Sequence, residues 1–226
     1  MPRIVRAAVL GGTVVLVALS SSAGWGQPKE LPAKIVTLGG PAELFKKDAP
    51  DWKSAALRAE VGEGDSVRTQ VGGRVALRTG SGQALRLGSR SQVALPPGSD
   101  GDGAPTRVRF DYGWLWVAVM PGGAEPTQVE VRAGPAVITV RGGGVAIRRN
   151  QDGSTLVQVH HGTAQCAGPD RQWERTLTGP QQLLVPTSGP PGPPVNLTVD
   201  PLETTWVRWN ADQDFAGGYG GAKPQP

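Results

Sequence analysis

The sequence predicts an all-β domain of many short strands, arranged as a sandwich, a jelly roll or a short β-solenoid-like stack, with a short C-terminal helix and a disordered tail. Three observations predict it. Glycine and proline occupy 33 and 21 of the 226 positions, too many for a helical bundle because both are costly inside helices. Apolar residues recur at every second position in short runs, which places them on one face of a strand. Clusters of Gly, Pro, Asp and Asn break these runs at intervals of roughly 8–12 residues.

The elements follow in order. Arg3 and Arg6 precede an apolar run from Ala7 to Leu19 and then small residues. This matches a secretory signal peptide over 1–26, with cleavage after Ala23 or Gly26. The run is short for a spanning helix, which needs about 20 residues, so an uncleaved anchor is the weaker alternative. The remainder is then periplasmic or extracellular, with no stable membrane span after cleavage. Arg3 and Arg6 account for two of the net +4 charges, which weakens a nucleic-acid reading, since that wants a concentrated basic face; no nucleic-acid partner is expected.

Residues 27–186 form the β domain. Its strands are read at 34–38, at Val75/Leu77, Leu85/Leu87, Val93/Leu95 and Val108/Phe110, then at Val129/Val131, 136–140, Val145/Ile147, 156–159, 163–166 and 183–185. Asn150-Gln151-Asp152-Gly153 is a hairpin turn, because these residues tolerate positive φ. Residues 187–199 are a Pro/Gly-rich extended linker. Residues 200–216 hold a short helix with Asp200 as its cap, Pro201 in its first turn and Glu203 three residues after the cap. Leu202, Trp206 and Trp209 share one face by spacing. Residues 217–226 are read as a disordered tail.

Little of the chain suggests chemistry. One cysteine allows no internal disulfide framework or cysteine-rich zinc site, and Cys166 reads as a buried small hydrophobe. His160 and His161 are neighbours on a strand, pointing to opposite faces, and read as polar residues before a glycine turn. Gly142-Gly143-Gly144 reads as a bulge or corner, because no lysine and no helix follow to hold a phosphate. No nucleophile is paired with a base. The expectation is no enzyme, no cofactor and no metal. Tyr112, Trp114 and Trp116 share one parity on their strand and read as core, or as a partner or glycan surface. Arg68, Arg74, Arg78, Arg86 and Arg90 lie on successive strands and read as one basic, solvated face or a patch for an anionic partner.

Several ordered blocks resemble one family. They are Gly64-Asp65-Ser66-Val67-Arg68-Thr69, Gly73 to Gly82, Leu85-Arg86-Leu87 with Ser91, Tyr112 to Val117, Ala136 to Gly143, and Val157 to Ala164. Together they resemble the FecR domain family, bacterial envelope domains named after an iron-dicitrate transmembrane regulator. Gly143 departs from the expected threonine, and Gly80-Ser81-Gly82 lacks the usual turn aspartate. The family's regulators place a sigma-factor-binding segment and a membrane span before this domain; here six residues precede the apolar run. The segment 205–214, with its Trp-x-x-Trp-Asn, is similar to one that follows the domain in stand-alone secreted relatives.

The resemblance implies a stand-alone exported domain, acting without catalysis as a protein-interaction or envelope-associated module. Its partner is an unidentified protein or envelope polymer, met through Tyr112, Trp114, Trp116, Arg74, Arg78 and Arg86, with Trp206 and Trp209 docking the tail. Two alternatives stay open: a periplasmic sensor component of an iron-uptake-type signalling system, and a cell-wall or polysaccharide-binding module.

Overall fold

A computed structural model describes residues 33–97, 105–122 and 127–221; the signal peptide expected over 1–26 lies outside them. The strands are β1 (Ala33–Gly39), β2 (Ala42–Phe45), β3 (Lys53–Ser54), β4 (Glu60–Val61), β5 (Ser66–Thr69), β6 (Arg74–Thr79), β7 (Ala84–Leu87) and β8 (Gln92–Ala94). Then come β9 (Thr106–Val119), β10 (Val129–Ala133), β11 (Ala136–Arg149), β12 (Thr155–Ala167), β13 (Glu174–Thr178), β14 (Gln181–Val185) and β15 (Val195–Asn196). A 3-10 turn, Pro201–Glu203, leads into the helix α1 (Thr204–Gly217).

All the strands join in one hydrogen-bonded network, antiparallel except for β9 with β10. The three long strands give it two layers. The first half of β9 pairs with β8 and β10, and its second half, from Gly113, with β7 and β11. β11 changes partner from β10 to β9 in the same way, and β12 from β14 to β13. One layer therefore holds β3-β2-β5-β8 with half of each long strand, plus β10 and β13. The other holds β4-β1-β6-β7, the remaining halves, β14 and β15. Phe110 and Ile138 of the first layer share one buried apolar cluster with Leu77, Leu115 and Ile147 of the second. The alternation seen in the sequence supplies that core, since every second residue faces inward.

The bends lie at glycines. Gly113 has φ +94°, and Gly143 (φ +98°) stands opposite Gly162 (φ +82°). A Cβ on Gly143 would sit 2.1 Å from the carbonyl oxygen of His161, so only glycine lets the two strands turn together there. Residues 136–140 and 145–147, read as separate strands, are one strand bent through Gly142–Gly144.

Three local readings need correction. Leu202 is 93% exposed, and α1 buries Asn210 and Asp214 instead of an apolar stripe. Within 187–199, Val195–Asn196 pairs with β14, and the Pro191 and Gly192 carbonyls accept from Arg175. Of 217–226, the structure describes 217–221, and Tyr219 there is 1% exposed. Gly218 ends the helix in the left-handed conformation, its N–H bonded to the Asp214 and Phe215 carbonyls, which turns the chain so that Tyr219 packs on the sheet.

Candidate functional site

The site is the outer face of the second layer, over which α1 lies. Cross-strand pairing fixes which side chains share that face. Ala76, Arg86, Trp116, Ala146 and Gln158 form one row across β6, β7, β9, β11 and β12. Beside that row stand Arg78 and Arg74 of β6, and Trp114 with its cross-strand neighbour Arg148. The face is cationic and aromatic, an arrangement that selects carboxylates and other acceptors.

α1 brings the complementary groups. Asp214 is fully buried; its Oδ1 accepts from Arg86 Nη1 at 2.6 Å, and its Oδ2 from Trp116 Nε1 at 2.9 Å. His161 Nε2 lies 3.1 Å from the same Oδ2. Gly144 makes this close approach possible, since a Cβ there would fall 2.4 Å from Asp214 Oδ2 and 2.9 Å from the Trp116 ring. Asn210, also fully buried, donates to the Trp206 carbonyl at 2.9 Å and faces Arg86. At the other end Glu203 accepts from Arg148 Nη1, whose guanidinium stacks 4.9 Å from the Trp114 ring. Tyr219 donates its hydroxyl to the Gly82 carbonyl at 2.7 Å and accepts from Arg78 at 3.0 Å. Ala84, Trp116, Ala118, Ala146 and Tyr219, with Trp206 and Val207 against them, make a small apolar cluster under the helix.

Titration in this seam follows burial. Burial lowers His160 to about 4, with the neighbouring His161 adding to the shift and Asp214 opposing it. Its ring lies 4.7 Å from the Trp116 ring. Burial raises the Glu203 carboxyl, and the Arg148 charge works against that rise. His160 Nε2, Glu203 Oε2 and Trp206 Nε1 are buried with no protein partner.

Arg74, Arg78, Arg86, Trp114, Trp116, Trp206 and Trp209 therefore meet in one place. Trp206 and Trp209 stack at 5.5 Å, with the Arg74 guanidinium 5.9 Å from the Trp209 ring. Tyr112 does not join them. It precedes the bend at Gly113, is 43% exposed, and donates to Gln92 Oε1 at 3.2 Å. The five arginines do not share one face either: Arg68 belongs to the first layer, where it pairs with Glu43 and stacks 4.1 Å from the Trp52 ring. Arg86 is buried and paired, not solvated. The register shift between Gly144 and Val145 brings His160 and His161 to the same seam, where strict alternation would separate them. Sequence reading missed Arg148, Asn210, Asp214 and Tyr219 as site residues and took His161 for a polar residue before a turn; the one available signal was the polarity of Asn210 and Asp214 on a helix expected to bury apolar residues. Among the described residues no group of three His, Cys, Asp or Glu side chains is placed to hold a metal.

Residues 65–165 match the family model described as FecR protein. No curated protein matches the chain. Two crystal structures of a candidate anti-sigma factor from Parabacteroides distasonis ATCC 8503 share the fold. In the first, at 18% identity and a TM-score of 0.50, the match covers 65% of this chain and 64% of the other. In the second, at the same identity and TM-score, it covers 68% and 74%. The chain spans about 64% of the length of the first of these structures. Over residues 65–165 the motif blocks and the family model agree, and that stretch is similar to the FecR protein family.

Proposed function

We propose that the chain is a non-catalytic protein-recognition module of the bacterial envelope, exported by its N-terminal segment into the periplasm or beyond. The observation that carries this reading is the cationic, aromatic sheet face: seven side chains singled out in the sequence converge there, and its chemistry is that of an interface, with Arg and Trp as anchors. The apolar run after Arg3 and Arg6 supports export, and among the described residues no helix is long and apolar enough to cross a membrane. A sensor component of an envelope signalling system is the second reading, favoured by the fold shared with a candidate anti-sigma factor. The polysaccharide reading loses its platform, because Trp116 lies under α1 and Tyr112 stands beyond the bend.

In-cell crosslinking of the tagged full chain, with mass spectrometry of the envelope fraction, tests this. Recovery of a protein partner with an N-terminus at Gly24 or Gln27 is expected; a receptor or anti-sigma partner selects the sensor reading. Retention on insoluble peptidoglycan without any protein partner, or an intact Met1 in the cytosolic fraction, overturns it.

A further inference from the structure

Resting on that recognition reading, we infer that the outer face of the second layer is a docking groove for an acidic helix of a partner protein, and that α1 is the removable occupant that keeps it closed. Beside the small apolar cluster formed by Trp206, Val207 and Tyr219 against the sheet, the contacts holding α1 are charge-directed. Its buried positions, with the turn before it, are Glu203, Asn210 and Asp214, while Leu202 and Phe215 are 93% and 52% exposed. The groove answers with Arg148 at one end and Arg86 at the other.

Such a seam holds weakly for its size. Desolvation offsets most of the attraction within a buried ion pair. His160 Nε2, Glu203 Oε2 and Trp206 Nε1 are desolvated without a protein partner, each an uncompensated cost. Once detached, a helix of 14 residues is marginal in water. A segment that brings carboxylates at the separation of Glu203 from Asp214, and pairs the groove's polar atoms better, therefore displaces α1. Charge sets the class of partner: the buried Arg86 and the half-buried Arg148 select acidic helices and reject basic ones.

The anchoring of the chain just before α1 argues for a partner protein over a second copy. Arg175 holds the Pro191 and Gly192 carbonyls, β15 pairs with β14, and Leu197 and Thr198 bond back to Pro180 and Gln182. Only Val199 and Asp200 remain as a hinge, too short to carry α1 to another molecule.

The probe is a fluorescent peptide of residues 200–221, titrated into the full-length chain and into Asp214→Asn, which weakens the resident helix. The expected result is binding to Asp214→Asn at least about tenfold tighter than to wild type, because occupancy by α1 multiplies the apparent affinity by the open fraction, which is smaller in wild type. Adding Arg86→Gln abolishes binding, and salt weakens it. Equal affinity for the two chains, binding that survives Arg86→Gln, or a dimer of Asp214→Asn in sedimentation overturns the inference. Hydrogen exchange on the wild-type chain tests it without any variant: α1 amides exchange at least about tenfold faster than those of β11, since the helix opens locally. Identical rates, meaning that the helix leaves only on global unfolding, also overturn it. Loss of peptide binding beside intact protein crosslinks removes the groove and leaves the recognition reading; wall retention removes that reading and leaves the peptide result standing.

Discussion

Acidification is expected to destabilise this protein through His160, and the size of the effect follows from its surroundings. The imidazole is packed 4.7 Å from the Trp116 ring, its Nε2 has no protein partner, and burial lowers it from 6.5 to about 4. The folded protein therefore holds His160 neutral where the unfolded chain has already taken up a proton. Stability is complete above the unfolded value of 6.5 and is lost as pH falls toward 4, because the unfolded state binds more protons in that window. With these two values, lowering the pH from 7.5 to 5.0 costs about 2 kcal/mol, and the full shift is worth about 3 kcal/mol. Urea unfolding followed by tryptophan fluorescence at pH 7.5, 6.5, 5.5 and 5.0 measures this. Repeating it with His160→Phe, which keeps a ring against Trp116 and removes the titrating group, isolates the residue. The variant is expected to lose about 2 kcal/mol of the pH dependence and to match or exceed wild type at pH 7.5. An unchanged slope in His160→Phe refutes the reasoning.

Three other outcomes follow. Trp116→Ala removes a fully buried indole and one of the Asp214 donors; it costs about 3–5 kcal/mol in urea, whereas Trp114→Ala, at a partly exposed site, costs less than half of that, and equal costs would contradict the burial described. Gly143→Ala forces a Cβ to within 2.1 Å of the His161 oxygen at φ +98° and lowers stability by at least about 2 kcal/mol, read as a fall in Tm. Burial pushes the Cys166 thiol up to about 12, so a disulfide reagent at pH 8 labels it only after denaturant is added, and rapid labelling of the native protein would show the core to be open.

Much of the fold was legible because β-structure writes a period of two. Val75/Leu77, Leu85/Leu87 and Val145/Ile147 all face the core as their alternation requires. The two-residue strands β3 and β4 were not legible, because two residues carry no period. The site was legible by residue type more than by arrangement. Arginines and tryptophans were identified, but parity fails across Gly113 and across the shift beside Gly144, which moved Tyr112 out of the group and brought His160 and His161 into it. The helix was harder for a physical reason. Hydrophobic spacing predicts the buried face only where the opposing surface is apolar; against Arg86 and Arg148 the helix and the turn before it bury Asp214 and Glu203, and of the expected stripe Leu202 faces solvent while Trp206 packs against the small cluster beneath.

An open sheet has borders, and unpaired backbone at a border invites another chain to add a strand. In this protein the borders are too short or too charged to serve as templates. β3, β4 and β15 are two residues each, and β13 carries Glu174 and Arg175 along its free side. Pro193 and Pro194 stand immediately before β15, where they have no N–H to offer a newcomer. The proline-rich stretch is thus more than a connection to α1: held by Arg175 and ending in β15 against Gln181 and Gln182 of β14, it occupies part of a border from which edge-to-edge polymerisation would begin.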